Sequence, residues 1–560
     1  MDPSLNPQYL VALMHKPIGH TQDAESDHPT DETTDHDFAW GKKQCTFPVL
    51  DSLASVCISE PKHQVISLAL QLRSLECKIR LIIAENGEVK ESLVAYVRRI
   101  WAKLQELSEK STHQITAEGN PKEGNPRERN NFKEEPVQPS ATLDLFCEIL
   151  KYTRQKSINS IQEWLGDLST FLHRLWKVRK GKLQGHEIDL RITLLASERA
   201  CRVLAQESLT SEDWEMAYNA MGLATRSAEP MIWDPIGCER LVHELKDPEG
   251  NTPFLLHHAL NQITSQYRHF RALVEFSHSP HLRHVFTYKM SIKSVPKSEN
   301  HSIELPTSKS EWSQIINNIC MEFHEPSRGW QDKEAERAKL GFKQTWKISS
   351  HCECSLIEHL AKERNRNGKG KLKGLREATG GDVGYRRLEE DATSGQRGGV
   401  STGIPQPEGG TIRTMPDIGG GCGRLMGVEK GERDGSSEAS ECESNDWSRV
   451  PPFSYIGISK PSCTPCCIWI AAYNSLGQQR FYTRGSCKKW IWPWGMPRFQ
   501  SQQLKQHMVN MLSKEYIQRL EQEGKLPSLS DTSANSMEAD SPWNPNIIAD
   551  LASLLLAENL

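Results

Sequence analysis

The sequence predicts an α/β domain in the C-terminal half of the chain, preceded by an all-helical N-terminal domain. Three observations carry this. Phe342, Gln344, Trp346 and Ile348 alternate with Lys343, Thr345 and Lys347, a period of two that marks a half-buried strand. Phe453-Ser454-Tyr455-Ile456-Gly457-Ile458 is a short, mostly apolar run of the kind a buried strand needs. In the first half, apolar residues such as Leu143, Phe146, Ile149 and Leu150 instead recur at three and four, the spacing of amphipathic helices packed together.

From the start of the chain, residues 1–45 are polar, with Asp, His and Thr in quantity, and read as disordered. A helical domain follows over residues 46–290, with helices expected at Leu93–Leu107, Leu143–Val178, Ile188–Leu209, Trp214–Met221 and Phe254–Phe276. A flexible Glu-, Asn-, Pro- and Lys-rich loop at about 113–140 interrupts it. His257, His258, His269, His278, His281 and His284 have no carboxylates or thiols at ligand spacing, so they read as solvated or capping groups. The α/β domain takes residues 291–364 and 447–523. Between these pieces, residues 365–446 are crowded with Gly, Arg and Glu and read as a disordered insertion; a retained intron would give the same composition. Loop closure grows only slowly more costly with length, so such an insertion does not prevent the domain from forming. Neither Gly380-Gly381-Asp382-Val383-Gly384 nor Gly419-Gly420-Gly421 has the strand before it, or the Lys-Ser/Thr after it, of a phosphate loop. Leu504, Met508, Met511, Leu512, Ile517 and Leu520 predict a helix that packs back on the sheet, and the tail, 524–560, ends in a short terminal helix.

At 560 residues the chain has room for several domains, and only 37% of it is hydrophobic. A net charge of −4 gives no global pull toward nucleic acid. The start lacks a basic stretch followed by an apolar core, and no long uncharged apolar run occurs, so the expectation is an intracellular protein, cytoplasmic or nuclear, with no membrane segment. The 15 cysteines are odd in number and follow no short disulfide framework, which suits a reducing compartment.

The chemistry lies in a split constellation: His351-Cys352-Glu353 after the first strand run, and Cys463-Thr464-Pro465-Cys466 after the second. A hydrolytic zinc needs three protein ligands and an open fourth position, where bound water loses a proton near neutral pH. His351, Cys463 and Cys466 supply that count, and Glu353 is placed to carry the water's proton. Leu356, Ile357 and Leu360 fall at helical spacing, so His351 and Glu353 belong to the first turn of a helix; an apolar helix also follows Cys466. Helix amino ends there would favour thiolate at Cys463 and Cys466, and two strand-to-helix junctions would meet at the carboxyl edge of one sheet. H-x-E followed by P-C-x-x-C is the signature of zinc nucleobase deaminases, with Ser462 here in place of the proline.

Blander readings use nearly the same atoms. Cys352, Cys354, Cys463 and Cys466 could form a closed four-thiolate structural zinc site, and Cys463/Cys466 alone could be a redox pair. Cys467 offers a less usual C-x-x-x-C spacing and reads better as a small core hydrophobe. Downstream, Trp490, Trp492 and Trp494 stand among Lys488, Lys489 and Arg498, a mixture able to stack bases and hold phosphates, although alternating tryptophans also line a core. Trp490, Trp492 and Arg484 are therefore candidate substrate contacts, with packing the competing role for two of the three tryptophans.

Pro451-Pro452-Phe453-Ser454-Tyr455-Ile456-Gly457-Ile458-Ser459-Lys460, the Cys463/Cys466 pair, Phe481, Thr483-Arg484-Gly485-Ser486 and Trp492-Pro493-Trp494-Gly495-Met496-Pro497 together resemble the fungal group of OTT_1508-like deaminases, in the cytidine deaminase-like superfamily. The resemblance covers roughly residues 340–500. It implies a three-layer α/β/α cytidine deaminase-like domain with Zn2+ on His351, Cys463 and Cys466, and Glu353 as proton shuttle. Cys487 stands where a His is expected in relatives. The activity so implied is hydrolysis of the exocyclic amine of a cytosine-like or adenine-like ring, free or in nucleic acid. The alternative is a catalytically inactive interaction protein with a structural zinc; the helical domain, whose function its residues do not state, is the candidate surface for a protein partner.

Overall fold

The computed structural model describes residues 6–15, 47–60, 64–117, 139–245, 254–279, 283–320, 328–364, 447–476, 479–498 and 501–523. The described residues all belong to one compact unit. The expected insertion at 365–446, the tail at 524–560, most of the 113–140 loop and most of the first 45 residues lie outside the described residues. None of the described helices is long and apolar enough to cross a membrane.

The molecule is mixed α/β, built on a four-stranded sheet in the order β3-β2-β1-β6. Strands β1 (Ile66–Arg73) and β2 (Lys78–Glu85) form an antiparallel hairpin in the register Ile66 to Glu85 through Arg73 to Lys78. The turn between them closes on Cys77, which takes a left-handed conformation at φ 49°. β3 (Lys289–Ser294) joins β2 in parallel, and the two-residue β6 (Gly457–Ile458) joins β1 antiparallel through Ser67 and Leu68. A second, two-stranded sheet pairs β4 (His301–Glu304) with β5 (Thr345–Ile348).

The stretch 46–290 is therefore not all-helical: it supplies the central hairpin. In β1, Ile66, Leu68, Leu70 and Leu72 alternate with Ser67, Ala69 and Gln71, a strand pattern that the all-helical reading passed over, whereas Leu81-Ile82-Ile83-Ala84 in β2 is apolar on both faces and loses the alternation. Ile66, Leu68, Ile79, Leu81 and Ile83 enter one core, while Ala69, Ile82 and Ala84 enter another.

The first of these cores is built with α2 (Phe47–Val56), α3 (Glu91–Ala117), α4 (Pro139–Val178), α5 (His186–Leu204), α6 (Ser211–Ile232) and α8 (Leu256–His278). Each helix read from periodicity is present, and α6 runs eleven residues beyond its expected end at Met221 to Ile232. Its start is fixed by Thr210 and Asp213, which cap each other's backbone N–H reciprocally. α7 (Pro235–Glu244) packs beside α8 at the far end, around Cys238 and Met231. His258 and His269, read from sequence as solvated or capping groups, are buried instead: His258 meets the Trp164 ring edge-on and His269 shares a 3.1 Å hydrogen bond with Ser52.

The other core holds α1 (Pro7–Met14), α9 (Lys309–Cys320), α10 (Arg328–Gly341), α11 (residues 352–364), α12 (Thr464–Asn474) and α13 (Gln502–Gln522). α1 lies in a region read as disordered. Leu10, Val11, Ala12, Leu13 and Met14 are all buried, and a helix apolar all round is stable only when enclosed. The α13 side chain of Arg519 closes on the Met14 carbonyl at its end.

Candidate metal centre

β5 ends at Ile348, and two serines later the chain turns into α11 at His351. The His351 carbonyl accepts the first helical bond, from Ser355 N–H at 2.9 Å. Cys352 N–H, one of the donors a helix start leaves without an internal partner, is taken by Asn86 Oδ1 at 2.9 Å. Asn86 directly follows β2, so the main sheet holds α11 in place although β5 belongs to the other sheet. The sequence expectation of two junctions on one sheet edge is corrected to this: one junction leaves the small sheet and is pinned to the large one by an asparagine.

The second junction is anchored from both sides. Asp51 on α2 accepts from the Ile458 N–H at 2.7 Å and from the Tyr455 hydroxyl, which fixes β6. Gly457 is needed there, because a Cβ would lie 2.6 Å from the Leu50 backbone carbon. Beyond β6, Ser462 N–H donates to Gly485 O at 3.2 Å, and Ser462 O accepts from Cys487 N–H at 2.8 Å. The departure from the proline of the motif thus has a physical use, since proline has no N–H to give. Cys463 then caps α12, with Pro465 in its first turn.

These anchors bring His351, Cys463 and Cys466 together. His351 Nδ1 lies 3.4 Å from Cys463 Sγ and 3.3 Å from Cys466 Sγ, and all three donor atoms fall within 4.8 Å of one another. Tetrahedral zinc bonds of ordinary length would separate such an N and S by about 3.6 Å. The donor set of one imidazole and two sulfurs is also one that zinc favours. Among the described residues this is the one such group, and neither Cys352 nor Cys354 joins it. Cys352 Sγ is 3.5 Å from Glu353 Oε2, so the four-thiolate arrangement is not the one formed.

Burial governs the electrostatics. It pushes the Cys463 and Cys466 thiols well above the ordinary range, with mutual proximity adding at Cys463 and Cys354 adding at Cys466. The expectation that helix amino ends favour thiolate here is thus outweighed by desolvation, and a bound cation is what would release these protons. Burial works against charge on His351 as well, but the hydrogen bond to Cys463 and the Cys463 and Glu353 charges lift it to about 9. Trp494 Nε1–H donates to Cys466 Sγ at 3.3 Å, a contact from the surrounding shell of the kind that orients a metal ligand. Glu353 is 4% exposed, within electrostatic reach of His351.

The remaining sequence candidates are placed as follows. Trp492 is buried edge-on against Phe342 and Trp346, both at 5.9 Å, and Trp494 is fully buried. Trp490 is half-buried and its carbonyl meets His15 Nδ1 at 2.9 Å. Gly495 lets this segment touch the turn before His351: its N–H bonds Ser349 O at 3.0 Å, where a Cβ would come within 2.4 Å of the Ser349 carbonyl carbon. Arg484 is half-buried, two residues after Tyr482, which bridges to Tyr455. Arg498 pairs with Glu299 at 2.7 Å, outside the centre. Sequence reasoning missed Asn86, Asp51 and Trp494 as supports of the site. Of these only Asn86 carried a local signal, since Asn-Gly after an apolar run marks a strand end.

Comparison with protein-family models, with curated proteins and with solved structures finds no match for this chain.

Proposed function

We propose that the protein is a zinc-dependent deaminase that removes the exocyclic amine of a nucleobase ring by hydrolysis. The observation that carries the reading is the convergence of His351 Nδ1 on the Cys463 and Cys466 sulfurs, at 3.4 and 3.3 Å, with the Glu353 carboxyl buried two residues from the His. Two further features support it. Helices pack on both faces of the mixed sheet, as the three-layer α/β/α arrangement of the cytidine deaminase-like superfamily requires. The motifs around both junctions resemble the OTT_1508-like group.

Zinc bound by the three donors would activate a water in its open fourth position near neutral pH. Glu353 accepts the proton of that water as its oxygen bonds to the ring carbon bearing the amine. The carboxyl then returns protons to the ring nitrogen and to the departing nitrogen. Water is consumed, ammonia leaves, and a carbonyl replaces the amine, with no change of oxidation state.

Metal analysis and ammonia release on the full chain test the reading together. Glu353→Gln is expected to keep one zinc per chain and to lose turnover by about 10²–10⁴-fold, the usual worth of a positioned proton carrier. A zinc-loaded Gln variant as active as the parent would overturn the role of Glu353. A parent that binds zinc yet releases no ammonia from cytosine and adenine nucleosides, nucleotides or oligonucleotides would leave the metal structural.

A further inference from the structure

Among the described residues ten large apolar side chains are exposed, and seven of them lie between residues 176 and 236, on or next to α4 to α7. Their placement follows the helix period. On α5, Ile188, Arg191, Leu195, Arg199 and Arg202 recur at three and four and are all exposed, so they form one solvent-facing stripe of apolar and cationic groups. On α6, Leu223, Arg226 and, at its end, Trp233 repeat the pattern. The two helices are joined by residues 205–210 and return alongside each other, with the Thr193 hydroxyl on the Ala224 carbonyl at 3.4 Å. Leu195 and Leu223, each within two residues of that bond, therefore stand at one level of the pair. Trp176, at the end of α4, joins the α5 stripe, since the Arg191 guanidinium lies 5.5 Å from its ring centre.

α5 already buries Leu190, Leu194, Ala200 and Cys201 on its opposite face, so core packing does not account for the apolar residues outside. A contiguous exposed apolar surface rimmed by charge of one sign marks a contact site. Its complement is an apolar helix face that carries carboxylates and no cations, and the chain contains one. Residues 526–560 hold Asp531, Glu538, Asp540, Asp550 and Glu558 but no Lys or Arg. Within them Ile547, Ile548, Leu551, Leu554 and Leu555 fall on one face at helical spacing, after Asn546 as a capping residue. The intervening residues 524–546 extend to about 76 Å at ~3.3 Å per residue, more than the length of the 40-residue α4, about 60 Å.

We propose that the C-terminal segment 547–556 docks as an amphipathic helix across the exposed faces of α5 and α6, its apolar face on Leu195 and Leu223 and its carboxylates toward Arg191 and Arg226. This is recognition of a helix by an apolar surface, with the occupant supplied by the chain itself. Nothing in it depends on the metal centre or on the chemistry performed there.

The test is hydrogen exchange of the full chain, read by mass spectrometry over residues 547–556. In the parent these amides are expected to exchange at least about tenfold more slowly than in a synthetic peptide of residues 544–560, as amides held in a docked helix do. Ile188→Glu with Leu195→Glu changes exposed side chains only, so the body still folds, and is expected to return the segment to the peptide's rate. Arg191→Glu with Arg226→Glu is expected to speed exchange severalfold, while Leu340→Glu, at an exposed leucine of α10, leaves it unchanged. The body gives the second readout: Leu551→Glu with Leu555→Glu is expected to raise oxidation of Trp233 by hydroxyl radicals severalfold. Exchange at the peptide's rate in the parent, or protection that survives both substitutions on α5, would overturn the docking. Protection lost on dilution together with a dimer would also overturn it, because the occupant would then be the tail of a second copy.

Discussion

The two faces of the β1–β2 hairpin support different kinds of core. On one face, Phe146, Tyr218, Tyr267 and Phe270 meet at ring-centre distances of 5.1 to 6.0 Å, an apolar mass that only packs. On the other, the starts of α11 and of the apolar α12 bring together a His, two thiols able to hold a metal ion with it, and a carboxyl. The comparison teaches a division of labour. The described residues of both faces belong to one compact unit, so the aromatic face supplies stability that the metal face, carrying buried groups costly to desolvate, can draw upon.

Breaking each face separately is the strongest test of that division. Phe146→Ala is expected to destabilise the protein by about 3–5 kcal/mol, as loss of a fully buried ring does, and to leave zinc per folded chain unchanged. Cys463→Ser with Cys466→Ser is expected to reduce zinc from one per chain to none. Chemical denaturation in the presence of chelator would then give the double variant nearly the parent's stability. A Phe146→Ala protein that loses zinc while still folded would show that the two faces are coupled and not divided.

Lys156, a half-buried lysine of α4 whose ammonium donates to the Ser55 carbonyl, sharpens the contrast through pH. Its folded value of about 7 lies below the unfolded lysine value of about 10.4. Between these, the unfolded chain holds a proton that the folded protein has released, so stability rises with pH across that window; below about 7 both states are protonated and the full penalty remains. Lys156→Met removes this slope. Between pH 7.5 and 9 the parent is expected to gain up to about 2 kcal/mol relative to the variant, from at most about 1.4 kcal/mol per pH unit for one proton. The slope is the quantity to compare, because the absolute difference also contains the lost hydrogen bond to Ser55. Parallel pH profiles would mean that Lys156 is an ordinary solvated lysine.

What could be read in the sequence follows from this same division. The grouping of His351, Cys463 and Cys466 was legible because a set of donors able to hold a metal ion needs particular residue types at short spacing, and two short motifs preserve that spacing however far apart they lie. The helices of the aromatic face were legible from their periodicity. The β1–β2 hairpin was passed over although Ile66, Leu68, Leu70 and Leu72 alternate with Ser67, Ala69 and Gln71, because its second strand is apolar on both faces and loses that alternation, and α1 was hidden by the polar sequence around its enclosed apolar stretch. β6 stands at the edge of the sheet, and the Ile458 N–H is taken by Asp51, a side chain, rather than by a further strand. Such partners are set by tertiary neighbours, and local sequence carries no mark of them.

Trp494 tests how far support around the metal face matters. Trp494→Phe keeps most of the buried ring and removes only the Nε1–H that reaches Cys466 Sγ. Zinc affinity is expected to fall about tenfold, at the lower end of what loss of a partner to a ligand costs, with a change in stability too small to account for it. Chelator competition measures the affinity directly. An unchanged affinity would make the contact a packing accident.

The smallest expected effect belongs to Asn86, the residue that ties the sheet to the start of α11. Its Oδ1 satisfies the Cys352 N–H as a helix cap does, so Asn86→Ala is expected to cost about 1 kcal/mol. Asn86→Asp keeps an acceptor in the same place and adds a charge that the helix amino end favours, so it should recover most of that loss. The nearby Glu353 carboxyl opposes a second negative charge and makes the recovery incomplete. Because His351 immediately precedes this turn, the alanine variant should also bind zinc more weakly than its stability loss alone predicts. Urea unfolding with and without zinc distinguishes the two contributions: a destabilisation identical in both conditions would reduce Asn86 to a simple cap, while a larger one with zinc would show that the sheet positions the histidine through it.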